Sequence, residues 1–391
     1  MNRRDFLIYA GSFTLFQLLT GCGQPQDSTT YIRFLKESIP SQLLGQFRRE
    51  IPANLSINFA QTEQLEQLFK LLQLWQQRST PSAQTSRRIS LPFFAPRVPP
   101  VPDLVTLGDY WLRKAIQQQL IEPLPLERVS TWESLSPRWH QLAQRDKAGL
   151  PDNSGKLWGA PYRWGTTLIA YNRNQFDRLD WQPQDWPDLW KRELRGHLSL
   201  LDQPREIIGL TLKMLGKSYN EPNPEQVPEL KEKLVALNRQ AKFYSSQAYL
   251  QPLVLGDTWA AVGWSDDLIP LVQRHKHLEA VVPATGTALW ADLWVRPARL
   301  SNQQTDAEEA AWQRWIEFCW KPQIAEQISS LTNAVSPILT QADTEDLPKA
   351  SRQALLPSEE TLERSEFLQP LPESAIAQYR SLWQAIRQPS N

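Results

Sequence analysis

The feature that most constrains this chain is a repeated switch of hydrophobic period. Tyr31-Ile32-Arg33-Phe34-Leu35 has the length and residue types of a strand. Leu65, Leu68, Leu71, Leu72 and Trp75 then recur at helical spacing. Pro102 to Leu107 restores a strand, and Tyr110 to Leu120 reads as a helix. Gly196 to Leu201 reads as a buried strand that runs into Asp202-Gln203-Pro204-Arg205-Glu206 and a helix closed by Gly216. Proline in the first turn and glycine after the last are the expected asymmetry of a helix. Pro228 to Asn238 is a further helix, with Leu230, Leu234 and Leu237 on one face. Thr305-Asp306-Ala307-Glu308 has a capping-box pattern and opens another, which Lys321-Pro322 ends. Strands alternating with helices predict an α/β chain whose sheets are covered on both faces.

Bulk properties narrow the function classes. A chain of 391 residues suffices for two lobes, each with its own core. Lys+Arg and Asp+Glu both total 42, so the basic excess of a nucleic-acid binder is missing. Most of the 17 Trp are expected to fill cores. Two cysteines are too few for a disulfide scaffold, and Cys319, inside a helix-like run, reads as a small buried hydrophobe. Residues 78–101 break the alternation with Pro, Ser, Thr and Arg and read as a surface insertion or flap. There is no G-x-S-x-G turn, no H-E-x-x-H helix and no paired reactive Cys, so no enzyme and no cofactor is expected. His140, His197, His275 and His277 include one His-x-His, but its flanking cations suggest an exposed helix face rather than a metal site.

The first residues read as an address. Arg3-Arg4 precedes an apolar stretch from Phe6 to Leu19, the order of a signal peptide over residues 1–21. That stretch is too short for a stable membrane span. Arg3-Arg4-Asp5-Phe6-Leu7 resembles a twin-arginine export signal, although Ile8 stands where a Lys is usual. Leu19-Thr20-Gly21-Cys22 resembles a lipobox, which would make Cys22 the lipidated first residue. Removing residues 1–21 leaves 40 basic and 41 acidic side chains, so anchoring would come from acyl chains rather than a basic surface. Residues 22–29 are polar and turn-rich and read as a tether.

A family resemblance rests on five blocks in a fixed order. They are Trp158-Gly159-Ala160-Pro161-Tyr162-Arg163-Trp164-Gly165-Thr166-Thr167-Leu168-Ile169-Ala170-Tyr171-Asn172, Asp185-Trp186-Pro187-Asp188-Leu189-Trp190, Asp202 to Glu206, Ala261-Val262-Gly263-Trp264, and Trp290-Ala291-Asp292. Together they resemble the polyamine-binding (spermidine/putrescine) proteins of the bacterial periplasmic solute-binding superfamily. That resemblance implies a type II fold with two α/β lobes joined by a hinge and ligand held between them. The chain would cross near Gly165, Trp290 and Pro337. One lobe would comprise 30–165 and 290–337, the other 166–289 and 338–391. It further implies a monomer that hands its solute to an ABC permease, and with the lipobox-like segment the expectation is a membrane-anchored periplasmic lipoprotein.

A polyamine needs carboxylates at fixed spacing and aromatic walls, whose faces attract cations. Trp290 and Asp292, two apart on a strand, point to one face and match ligand positions of the family. Glu206, in a first helical turn, Trp264 as a second wall, and Tyr110 match others. The plainer readings are a core Trp beside a surface Asp, a helix-start acid favoured by the dipole, and packing aromatics. Asp266-Asp267 reads better as a helix start than as cleft lining. This chain departs from the family at Gln203 for a carboxylate, at Leu35 and Lys36 for an aromatic and hydroxyl pair, and at Ala334 for an aromatic. A Lys facing the cleft would repel a polyamine. The expectation is therefore a small cationic amine; the alternative is a zwitterion or organic anion contacted by Lys36 and Arg205, and a sensor using the same cleft stays open.

Overall fold

The computed structural model describes residues 28–79, 98–126, 129, 131–299, 306–339 and 355–387. The leader, Cys22 and residues 80–97 of the expected insertion lie outside them. In chain order the elements that place the site are β1 (Ser28–Leu35), α1 (Ser41–Glu50), β2 (Leu55–Thr62), α2 (Leu65–Ser79), β3 (Leu104–Gly108) and α3 (Asp109–Gln117). Then come β4 (Ala160–Asn172), β5 (Leu198–Leu200), α4 (Pro204–Met214), α5 (Leu230–Gln240), β6 (Ala241–Tyr244), β7 (Ala260–Trp264) and α6 (Ser265–Arg274). The last are β8 (Leu278–Val281), β9 (Ala288–Pro297), α7 (Asp306–Cys319), α8 (Pro322–Thr332) and α9 (Glu373–Arg387).

Two sheet halves share one strand. In the first, β2, β1 and β3 run parallel, and β9 joins β3 and β4 antiparallel. In the second, β4 pairs antiparallel with β7 and β8, while β7, β5 and β6 run parallel. All thirteen residues of β4 are buried, as a strand covered on both faces requires. Its partners change midway: Ala160 to Thr166 face β9, and Thr167 to Tyr171 face β7. β4 is therefore the spine through which one half continues into the other. Val335 bridges Trp164 from the segment after α8, so this return strand also lies beside the spine.

Helices cover the sheets with their apolar faces. α7 packs on β1 and β2, where Phe47, Phe59, Trp315 and Phe318 interlock at ring separations of 4.9 to 6.5 Å. α9 closes over α4 and α5. Ten of the 17 Trp are buried and the others are partly covered, in keeping with a mainly structural role. Cys319 is buried, and burial pushes its thiol well up, so it behaves as a core hydrophobe.

Three local expectations change. The first strand begins at Ser28, so the end of the expected tether is sheet. Pro322 does more than end α7: it is the first residue of α8, where a missing N–H costs nothing. α6 stops at Arg274, so His275 and His277 lie past the helix rather than on its face. Gly216 has φ +70°, the left-handed conformation that a residue beyond α4 needs.

Candidate functional site

The site is built where β4 changes partners. Strand alternation puts Arg163, Gly165 and Thr167 on one face of β4. Across from them on β9, Trp290 pairs with Gly165 and Asp292 pairs with Arg163. A Cβ at Gly165 would lie 2.5 Å from the Trp290 ring and 2.2 Å from Ser265 Oγ. Glycine there leaves the space in which the indole and the start of α6 meet the strand.

Four sequence-derived positions adjoin at this point. Glu206, in the first turn of α4, is buried. Its carboxylate accepts from Thr167 Oγ1 at 3.0 Å and from Trp264 Nε1 at 3.3 Å. Burial pushes the Glu206 carboxyl above its ordinary range, and these two donors pull back against that. Trp264 ends β7, and the next residue, Ser265, accepts the Thr166 backbone N–H at 3.1 Å. Trp290 lies partly covered, with an indole N–H that is buried and has no acceptor among the described residues. Asp292 is buried on the β9 side.

Sequence reasoning missed Arg163. Its Nε donates to Asp292 Oδ2 at 2.7 Å, and its guanidinium lies 5.5 Å from the Trp290 ring centroid. Only 4% of the Arg163 side chain and 1% of Asp292 are exposed, so this is a buried ion pair, costly to form and costlier to break. Burial works most strongly against the guanidinium's charge, but Asp292 together with Tyr162 and Asp266 outweighs it and holds the group above its ordinary value. Burial likewise raises Asp292, against the pull of Arg163. The available signal was a lone charge in a run that otherwise reads as buried strand.

More carboxylates lie around this pair, Asp109 with Arg145 as its nearby cation. Asp266 Oδ2, in the first turn of α6, is 3.8 Å from Arg163 Nη2, and burial raises Asp266 to about 7. Asp267 accepts from Tyr249 Oη at 2.6 Å and is also raised by burial. Asp109 accepts the Ala291 N–H at 3.2 Å and is lifted to about 7, chiefly by burial. The Asp266-Asp267 pair thus starts a helix and also faces the site.

Tyr110 and Gln203 line a neighbouring cavity of about 530 Å³, bounded by Asp109, Arg113, Arg205 and Tyr379 among others. Tyr110 is 60% exposed. Among the described residues Leu35 and Lys36 make no hydrogen bond or ion pair with either group. Leu35 packs on the core, and the exposed Lys36 Nζ pairs with Glu63 at 3.1 Å. Their expected place in the site is not where their side chains make contacts. Arg205 is likewise committed, donating to Asn220 Oδ1 at 2.9 Å and to the Gln369 carbonyl at 3.1 Å. Ala334 is buried beside Val335. Among the described residues no cluster of His, Cys, Asp and Glu is arranged to hold a metal.

Two sheet halves joined by a shared strand, with an acidic and aromatic cluster at the junction, make the two-lobed type II fold of periplasmic binding proteins. Residues 99–362 match the model of the bacterial extracellular solute-binding protein family, and the chain belongs to that family. It is 22% identical over 361 residues to the spermidine/putrescine-binding periplasmic protein of Escherichia coli (strain K12), covering 92% of each chain. Its fold is similar to that of a spermidine/putrescine ABC transporter substrate-binding protein from Streptococcus pneumoniae, with TM-score 0.72, 24% identity and coverage of 92% of this chain and 99% of that one. It is also similar to a binding protein from A. tumefaciens B6 solved with glucopine, with TM-score 0.60, 12% identity and coverage of 92% and 100%. The scaffold thus serves more than one class of solute.

Proposed function

We propose that this protein captures a small amine-bearing cation between its lobes and hands it to the permease of an ABC importer, without catalysing a reaction. The observation that carries this reading is that Glu206 meets Trp264 while Asp292 and Asp266 lie beside Arg163 and Trp290. Among the described residues Arg163 is the one cation that ion-pairs with these carboxylates, and Arg205 acts on Glu206 at longer range. Carboxylates in excess over cations, beside indole rings, favour an ammonium. The alternative of an organic anion held by Lys36 and Arg205 loses support because Lys36 is ion-paired with Glu63 and two Arg205 donors are taken by Asn220 and Gln369.

The lobes divide near 165/166, 289/290 and 337/338 on this reading. Support comes from the side-by-side pairing of Leu289 with Thr166 and of Trp290 with Gly165, and from the bridge between Val335 and Trp164. Closure about these crossings is the two-state motion open to such a scaffold. Lipidation at Cys22, a periplasmic, membrane-anchored location and a monomeric state complete the proposal, supported by the lipobox-like Leu19-Thr20-Gly21-Cys22 and by the periplasmic relatives.

Thermal unfolding with a panel of small amines, putrescine and spermidine included, tests the central claim. A binder present at 100 times its Kd adds about 2.7 kcal/mol to the folded state. No shift and no heat with any amine in the panel would sink it.

A further inference from the structure

Resting on the amine reading above, we propose that Arg163 fills one ammonium seat of the cleft from within the protein, so that the solute carries a single ammonium and, at its other end, a neutral hydrogen-bond acceptor. An ammonium seated between an indole and a carboxylate uses two features, the ring face and the charge. At Trp290 and Asp292 both are met by the protein itself. The Arg163 Nε–H bonds Asp292 at 2.7 Å, and the guanidinium lies 5.5 Å from the Trp290 centroid.

This arrangement is fixed by strand register, since Asp292 stands directly opposite Arg163 and Trp290 opposite Gly165. Arg163 cannot swing away without leaving the buried Asp292 charge unpaired. Nor does it lose its proton at any ordinary pH. A second cation brought to this end would therefore meet a permanent positive charge.

What remains unused there is donor capacity. Among the described residues Nη1 and Nη2 of Arg163 donate no hydrogen bond, and Asp266 Oδ2, at 3.8 Å, is too far from Nη2 to accept one. The buried Trp290 N–H also has no acceptor among the described residues. A hydroxyl, ether or amide oxygen suits these donors. A ligand carboxylate would instead face Asp266 and Asp292. At the opposite end, Glu206 and Trp264 form an acid and aromatic pair that no protein cation hydrogen-bonds among the described residues, Arg205 acting on Glu206 only at longer range. The single ammonium belongs there.

Calorimetry on the full chain with putrescine and 4-amino-1-butanol, which differ only by one ammonium replaced with hydroxyl, tests the assignment. The wild type should bind the amino alcohol at least tenfold more tightly. Arg163→Met should free Asp292 and reverse that order. Arg163→Met combined with Asp292→Asn should lose the gain for putrescine, and it folds without an unpaired buried charge should the single variant fail to. A tenfold preference for putrescine in the wild type, kept in Arg163→Met, would overturn the Arg163 assignment and leave the amine reading standing. Absence of heat from both compounds and from the wider amine panel would overturn both.

Discussion

Asp266 keeps 29% of its side chain exposed beside Arg163, yet burial, opposed by Arg163 and reinforced by Asp267 and Asp292, lifts its carboxyl to about 7. At pH 6 roughly one molecule in eleven therefore carries the Asp266 charge, and at pH 8 roughly ten in eleven do. An alkylammonium ligand, with a value near that of Lys at about 10.4, stays charged across this window. The ammonium seated at Glu206 is attracted across the site by ionised Asp266, so its affinity rises with pH, by at most about tenfold from pH 6 to pH 8, or about 1.4 kcal/mol. Binding at pH 7 should release at most about half a proton, which calorimetry in buffers of different ionisation enthalpy reads directly. Asp109, also lifted to about 7, titrates in the same range, so Asp266→Asn must be measured beside the wild type. The difference between the two pH slopes belongs to Asp266. Equal slopes, or affinity that falls as pH rises, would refute the electrostatic reasoning.

Further outcomes follow from the same geometry. The folded value of Asp266 lies above an unfolded one of about 3.9, so the free protein loses stability as pH rises from about 4 through about 7. Asp266→Asn should then raise Tm at pH 8 and leave it nearly unchanged at pH 4. Gly165→Ala pushes a methyl into Ser265 and the Trp290 ring and should cost about 1–3 kcal/mol in urea unfolding, with weaker amine binding. Glu206→Gln keeps an acceptor for Thr167 or Trp264 but drops the charge; calorimetry should show an affinity loss of about 2–5 kcal/mol, with Tm close to wild type. Lys36→Ala removes only an exposed pair and should move stability by less than about 0.5 kcal/mol without changing affinity. A larger affinity change would return Lys36 to the site.

The alternation of short apolar runs with amphipathic ones determined the α/β class, because periods of 2 and 3.6 residues are local properties of the chain. Leu65 to Trp75, Leu230 to Leu237 and the Pro204 start of α4 are legible for that reason. Resemblance supplied Glu206, Trp264, Trp290 and Asp292 as candidates, and the fold brings those four together. It also supplied Leu35 and Lys36, which turn to the core and to Glu63, since a backbone position does not fix where a long side chain finds its partner. Arg163 is the opposite case. Its partner lies 129 residues away, and only the register between β4 and β9 sets a guanidinium opposite Asp292 rather than opposite a neutral neighbour. A one-residue slip would turn that side chain to the other face. Local pattern therefore decided what each segment is, and tertiary pairing alone decided which charges meet.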